Sequence, residues 1–281
     1  MSSGVTIDNA RRTVFIVSDR TGITAETLGH SLLTQFDSID FEQVSLPFID
    51  TVDKARAAAE RIHAAGIHDG HRPIVFSTLV DPEVRAVLNT VDALFFDFFA
   101  TFIGPLEKVL QRSSSHMVGR SHGLADLRSY MTRMEAINYS LNHDDGLNSQ
   151  GYEHADMILV GISRSGKTPT CLYMAMSFGI RAANYPLTEE DLGHLDLPPE
   201  LAPYRERLYG LSIDPRRLRE IRQERRPDSR YASLAQCRYE VSRAESLFRR
   251  EGITCLNTSF SSIEEIATAI LHQAGLKRRL F

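Results

Sequence analysis

The chain has 281 residues, 42% of them hydrophobic and 24% charged, the balance of an ordinary globular protein whose core needs no covalent staples. Its formal net charge of -4 excludes a global basic field of the kind that gathers nucleic acid. The three cysteines, Cys171, Cys237 and Cys255, are odd in number and form no Cys-x-x-Cys pair, which argues against a disulfide framework or zinc site and fits a reducing cytoplasm.

Apolar runs alternate with helix-like stretches along the whole chain. The first eight residues lack a basic region followed by an apolar stretch, so no signal peptide is expected. Residues 13–17 read as a buried strand. A helix is predicted over 24–36, with Ala25, Leu28, Leu32 and Phe36 on one apolar face. A second strand covers 41–48, and an alanine-rich helix over 52–65 is expected to stop at Gly66. A third strand covers 73–77, a short helix 82–88, a fourth strand 93–99 and a further helix 102–111. The most apolar run, 93–103, is too short to cross a bilayer and is interrupted by Asp97.

A longer helix is predicted over 124–141. The polar stretch 143–149, beginning His143, Asp144, Asp145, Gly146, reads as the interdomain boundary. It divides the chain into an N-terminal domain 1–145 and a C-terminal domain 146–281. Beyond it the rhythm restarts: strand 157–160, helix 168–178, strands 181–185 and 207–213, helices 215–224 and 231–251, strand 254–257 and helix 262–274. Ser262 followed by Glu265 is a capping-box signature for the last helix. The βαβα rhythm predicts an α/β protein, with an open parallel sheet in the N-terminal domain and a P-loop kinase-like sheet in the C-terminal domain.

The segment Gly161, Ile162, Ser163, Arg164, Ser165, Gly166, Lys167, Thr168 matches G-x-x-x-x-G-K-[ST] at every specified position. At average residue usage a chain this long meets the pattern by accident about 1 time in 100. Its context, directly after a strand and before a helix, is the one the mechanism needs. Gly161 and Gly166 free the backbone so that the intervening amides can face phosphate oxygens. Lys167, one of only four lysines, supplies a mobile positive charge, and the Thr168 hydroxyl is placed to ligate magnesium. The bland alternative is a glycine turn with an incidental lysine.

Three other places carry candidate chemistry. Residues 18–24, including Asp19, follow the first strand, where open α/β sheets bind ligands; ordinary helix caps would explain them too. Asp214 could hold magnesium through water or cap the helix that starts at Pro215. Residues 205–230 hold nine arginines against five acidic residues, either as a lid over phosphates or as a solvated helix face. His143, Asp144 and Asp145 read as an acid–base or metal cluster, or as a hinge.

The opening Ser18-Asp19-x-Thr21-Gly22-x-Thr24-Ala25-Glu26, the run His143 to Gly146, and the loop with its trailing Pro169 and Thr170 together resemble the bacterial regulators of phosphoenolpyruvate synthase and of pyruvate, phosphate dikinase. The resemblance runs from about Arg12 to the final helix. It implies a bifunctional enzyme that uses ADP to phosphorylate, and so inactivate, a threonine of its target. The same enzyme removes that phosphate with inorganic phosphate as acceptor, releasing pyrophosphate. On this resemblance 161–168 would bind ADP, and Lys167 would serve the transfer in both directions. Asp19 or Asp214 would be the base that takes the threonine proton. Gly166 followed by Lys167 resembles the phosphoenolpyruvate synthase branch. The resemblance names phosphoenolpyruvate synthase as partner, involves neither nucleic acid nor membrane, and leaves homo-oligomerisation open. A small-metabolite kinase using ATP, a nucleotide sensor without chemistry, and action on pyruvate, phosphate dikinase are the competing readings.

Overall fold

A computed structural model describes residues 11–37, 39–115, 127–146, 150–277 and 279. The N-terminal segment, positions 124–126 of the expected helix and 147–149 of the expected boundary lie outside the described residues. The chain divides into two compact units, 1–123 and 124–281.

In the first unit the strands are β1 (Arg12–Val17), β2 (Phe41–Leu46), β3 (Ile74–Ser77) and β4 (Leu94–Asp97). They form a wholly parallel sheet in the order β2-β1-β3-β4. β1 is buried on both faces, as a central parallel strand must be. Its alternate residues feed two cores: Phe15 and Val17 meet Ile62, Val75 and Leu79 on one side, while Val14 and Ile16 meet Ala25, Leu33 and Phe76 on the other. The helices are α1 (Ile23–Leu33), α2 (Val52–Asp69), α3 (Pro82–Leu88) and α4 (Phe98–Leu110).

Three local expectations fail here for identifiable reasons. α1 buries Ala25, Gly29 and Leu33, whereas Leu28, Leu32 and Phe36 are exposed. The face turns because Gly29 lies so close to the Phe76 ring that a Cβ there would meet it at 2.6 Å. α2 runs through Gly66 and stops at Gly70, which takes the left-handed conformation at φ 67°. The fourth strand ends at Asp97, whose carboxylate accepts the Ala100 amide and starts α4.

The second unit contains α5 (Leu127–Asn142), β5 (Met157–Gly161), α6 (Lys167–Phe178), β6 (Ala182–Pro186), α7 (Glu189–His194), β7 (Leu208–Ser212), α8 (Pro215–Arg225), α9 (Leu234–Glu251), β8 (Thr254–Asn257) and α10 (Ile263–Gln273). Its sheet is again wholly parallel, in the order β6-β5-β7-β8. Both units therefore share one strand order, although the sequence carries no detectable repeat. All five residues of β5 are buried, with Ile158 and Val160 in one core and Met157 and Leu159 in the other.

The boundary expected at 145/146 lies within the second unit and not at its edge. Helix α5 belongs there because the Ser140 hydroxyl donates to the Ala182 carbonyl at 2.7 Å and the Asn184 amide donates to the His143 carbonyl at 3.2 Å. The expected helix over 231–251 begins later, at Leu234, where Ser233 caps it. α10 carries its expected capping box between Ser262 and Glu265. Among the described residues no helix is long and apolar enough to cross a membrane.

Candidate active site

The strand order of the second unit reverses at β5, with β6 on one side and β7 on the other. Crevices at the carboxyl ends of strands near such a reversal are where open α/β sheets hold ligands. The segment 161–168 leaves β5 at that point and enters α6.

Two glycines set its path. At Gly161 a Cβ would meet the Leu211 backbone oxygen at 2.6 Å and Ser165 Oγ at 2.7 Å, so only glycine lets the loop leave the strand this close to β7. Gly166 lies at φ 90° as the N-cap of α6, a region L side chains avoid. Arg164 also adopts a left-handed φ of 73°, which costs energy in a residue with a Cβ and recurs at functional sites. The start of α6 brings the positive end of a helix to the loop.

Lys167 is 5% exposed, and its Nζ donates to the Ile162 carbonyl at 2.9 Å, inside the loop. Burial pulls its pKa down from 10.5 to about 8, against the opposing charges of Asp145 and Asp144. Among the described residues no anionic side chain contacts this desolvated ammonium directly, and its one acceptor is neutral. A phosphate oxygen would supply the anionic partner.

The Thr168 hydroxyl donates to Asp144 Oδ1 at 2.8 Å. Asn184, at the middle of β6 and 1% exposed, organises this contact. Its Nδ2 donates to Asp144 Oδ1 and, at 3.4 Å, to Thr168 Oγ1, while its Oδ1 accepts the Asp145 amide at 3.0 Å. The turn of residues 143–146 is thereby fastened to the phosphate loop. Asp145 lines a cavity of about 270 Å³ together with Ser163, Arg164, Gly166, Lys167, Thr168 and Arg225. That volume suits phosphate groups better than a whole nucleotide, since pockets for complete ligands run to roughly 300–1,000 Å³.

Among the described residues no group of three or more His, Cys, Asp or Glu side chains converges as a metal cage. The site offers the Thr168 hydroxyl joined to the Asp144 carboxylate, with the Asp145 carboxylate lining the same cavity as Thr168. This donor set fits magnesium, which keeps several waters and takes further oxygens from substrate phosphates.

The loop is braced from α8 and α9. Arg222 is fully buried; its guanidinium pairs with Glu240 at 2.6 Å and donates to the Ser163 carbonyl at 3.0 Å and the Tyr231 carbonyl at 3.1 Å. The same guanidinium lies 4.0 Å from the Tyr231 ring centre, and the Tyr231 hydroxyl hydrogen-bonds Ser163 Oγ at 2.9 Å. One member of the arginine-rich segment is thus an internal brace for the loop.

The sequence-predicted site residues separate. Gly161 to Thr168 run as one turn from the end of β5 into the start of α6. Asp214 follows β7 and caps α8, its Oδ1 accepting the Arg216 and Arg217 amides at 2.8 and 3.2 Å, so the capping alternative describes its hydrogen bonds. Asp19 belongs to the first unit, where it is 6% exposed and accepts the Val80 amide at 3.2 Å. Burial raises its pKa above 3.8, opposed by the Val80 hydrogen bond. Asn184 was not among the candidates, and Arg222 was counted only within the arginine-rich segment 205–230, read as a lid or a solvated face and not as a buried brace.

The family described as kinase/pyrophosphorylase matches residues 14–271. Similar proteins, each provisionally named phosphoenolpyruvate synthase regulatory protein, occur in several bacteria. The one from Alkalilimnicola ehrlichii is 59% identical over 97% of this chain and 99% of its own. That from Halorhodospira halophila is 58% identical over 96% and 98%, and that from Legionella pneumophila 53% identical over 96% and 100%.

Proposed function

This chain belongs to the kinase/pyrophosphorylase family, and from that premise we propose that it regulates phosphoenolpyruvate synthase in both directions. In one direction it phosphorylates a threonine of that enzyme at the expense of ADP and inactivates it. In the other it removes the phosphoryl group with inorganic phosphate and restores activity. The names carried by the relatives support the target. The observation that carries the chemistry is the buried Lys167, which no anionic side chain among the described residues contacts directly, inside a glycine-bounded loop whose Thr168 is joined to Asp144.

In the forward direction the loop amides, the α6 N-terminus and Lys167 hold the diphosphate of ADP and neutralise the charge on its terminal group. The threonine oxygen bonds to the terminal phosphorus, the bond to the bridging oxygen breaks, and AMP leaves. Magnesium, held by Thr168 and Asp144, would neutralise phosphate charge and orient the oxygens. In the reverse direction a phosphate oxygen bonds to the phosphothreonine phosphorus, the bond to the threonine oxygen breaks, and pyrophosphate leaves. The same positions serve both steps because both transfer one phosphoryl group.

A carboxylate must take the threonine proton and later return it. We assign this to Asp145, an exposed side chain lining the same cavity as Lys167 and Thr168. Asp214 is the second candidate. Its two cap hydrogen bonds engage Oδ1 and leave Oδ2 for a water-mediated role.

The test is an assay of phosphate incorporation from ADP, with phosphoenolpyruvate synthase and pyruvate, phosphate dikinase offered in parallel. Label on a threonine of the synthase alone is the expected result. Transfer only to a free metabolite from ATP, or binding with no transfer, would sink the proposal.

A further inference from the structure

Transfer to inorganic phosphate requires a place for a phosphate that is not part of a nucleotide. Two arginines meet the same cavity as the loop residues without being part of its brace: Arg164, at the tip of the loop, and Arg225, in the last turn of α8. Neither side chain forms a hydrogen bond or ion pair with another described residue. Their neighbours on α8 differ: Arg222 is committed to Glu240 and Arg217 to Glu220.

The placement of Arg225 is built and not incidental. Arg222 ties α8 to the Ser163 carbonyl from beneath. Ile221, one helical turn before Arg225, lines the cavity with it, so the face of α8 that carries both is presented to the loop. Arg164 is held at a left-handed φ of 73° between Ser163, whose carbonyl Arg222 fixes, and the buried Ser165. Two arginines thus line one small cavity from two separately anchored elements. Planar guanidinium donors match the oxygens of a tetrahedral phosphate in pairs.

Resting on the reading of 161–168 as the ADP cradle, we propose that Arg164 and Arg225 form a second anion subsite that binds a phosphate dianion outside the nucleotide. Two sources share this chemistry: inorganic phosphate and the phosphoryl group of phosphothreonine. The loop amides and Lys167 serve the ADP diphosphate, and the arginine pair serves the other phosphate. The pair therefore sets the pyrophosphorylase direction more than the kinase direction.

The experiment is calorimetric titration of the full chain with three probes separately: ADP with magnesium, inorganic phosphate, and O-phosphothreonine. The proteins are wild type, Arg225→Gln, Arg164→Gln with Arg225→Gln, and Lys167→Ala. Each arginine change weakens phosphate or phosphothreonine binding by about tenfold, the loss expected for one charge-assisted contact, while in Arg225→Gln, which lies outside 161–168, ADP affinity changes by less than about threefold. The probe that weakens more identifies the source. Equal weakening of ADP would assign the arginines to the nucleotide cradle and overturn the separate subsite. So would unchanged affinity for both phosphate probes, or their failure to bind the wild type. Lys167→Ala reports on the cradle: ADP binding untouched by that change would bring down the loop assignment, a result distinguishable from any failure of the arginine pair.

Discussion

Thr168 Oγ1 and Asp144 Oδ1 lie 2.8 Å apart, joined by a hydrogen bond across 24 positions of sequence. The hydroxyl donates its hydrogen bond to the carboxylate and keeps an oxygen lone pair for a cation. The carboxylate reaches the loop 161–168 from the turn before β5, while Asp214, the other carboxylate considered for magnesium, caps α8 at the end of β7.

Asp144→Asn keeps the shape of this contact but removes its charge. The magnesium concentration needed for half-maximal activity should rise about 10–100-fold, the usual range for residues that orient metal ligands. The double variant with Thr168→Val should be no worse than the poorer single variant, because the two residues act as one unit. A magnesium titration of activity checks both, and an unchanged requirement in Asp144→Asn would remove this carboxylate from the site.

Arg222 is fully buried against Glu240. Arg222→Met leaves the Glu240 carboxylate without its cation, with only the neutral Gln236 amide donating to it, and takes the guanidinium from the Ser163 and Tyr231 carbonyls; it should cost about 3–5 kcal/mol in urea unfolding. Removing both charges, Arg222→Met with Glu240→Met, should cost less than the single change. A double variant weaker than either single would show that the pair stabilises outright and does not merely compensate its own burial.

Two glycines of the second unit should respond in opposite ways. At Gly210 a Cβ would meet the Phe248 ring at 2.7 Å, so Gly210→Ala should destabilise by about 1–3 kcal/mol through overpacking while ADP binding survives. At Gly161 the obstruction is the Leu211 backbone oxygen at 2.6 Å, which cannot rotate away. Gly161→Ala should displace the loop and weaken ADP binding by more than about tenfold, the loss of one charged contact. Parallel unfolding and ADP titrations separate the two effects.

The buried Lys167 predicts a stability that depends on alkaline pH. Its folded pKa of about 8 lies below the ordinary 10.5, so between these values the unfolded chain carries a proton that the folded chain lacks. Stability from this group therefore rises with pH across that window, by up to about 1.4 kcal/mol per unit, and is flat below it. The difference between wild type and Lys167→Met, measured by urea unfolding without ligand from pH 7 to 10, should show this rise. A flat difference would mean that the lysine is not desolvated.

Elements whose character is local were legible in the sequence. The glycine-bounded turn between β5 and α6, β1, β5 itself and the capping box of α10 each rest on a few adjacent residues with one physical meaning. What stayed hidden depends on contacts distant in sequence. The true inner face of α1 is set by Phe76 meeting Gly29, and the place of α5 by Ser140 reaching Ala182. Asn184 and Arg222 look unremarkable along the chain because their partners, Asp144 and Glu240, are 40 and 18 positions away. The shared strand order of the two units is likewise a property of pairing and leaves no repeat in the residues.

The most direct measurement follows the terminal phosphate of radiolabelled ADP into phosphoenolpyruvate synthase, with wild-type chain and a folded Lys167→Ala variant side by side. Label should appear on a threonine of the synthase with wild type and fall to background with the variant. Transfer at the wild-type rate by a folded chain lacking Lys167 would contradict the assignment of this loop as the seat of the reaction.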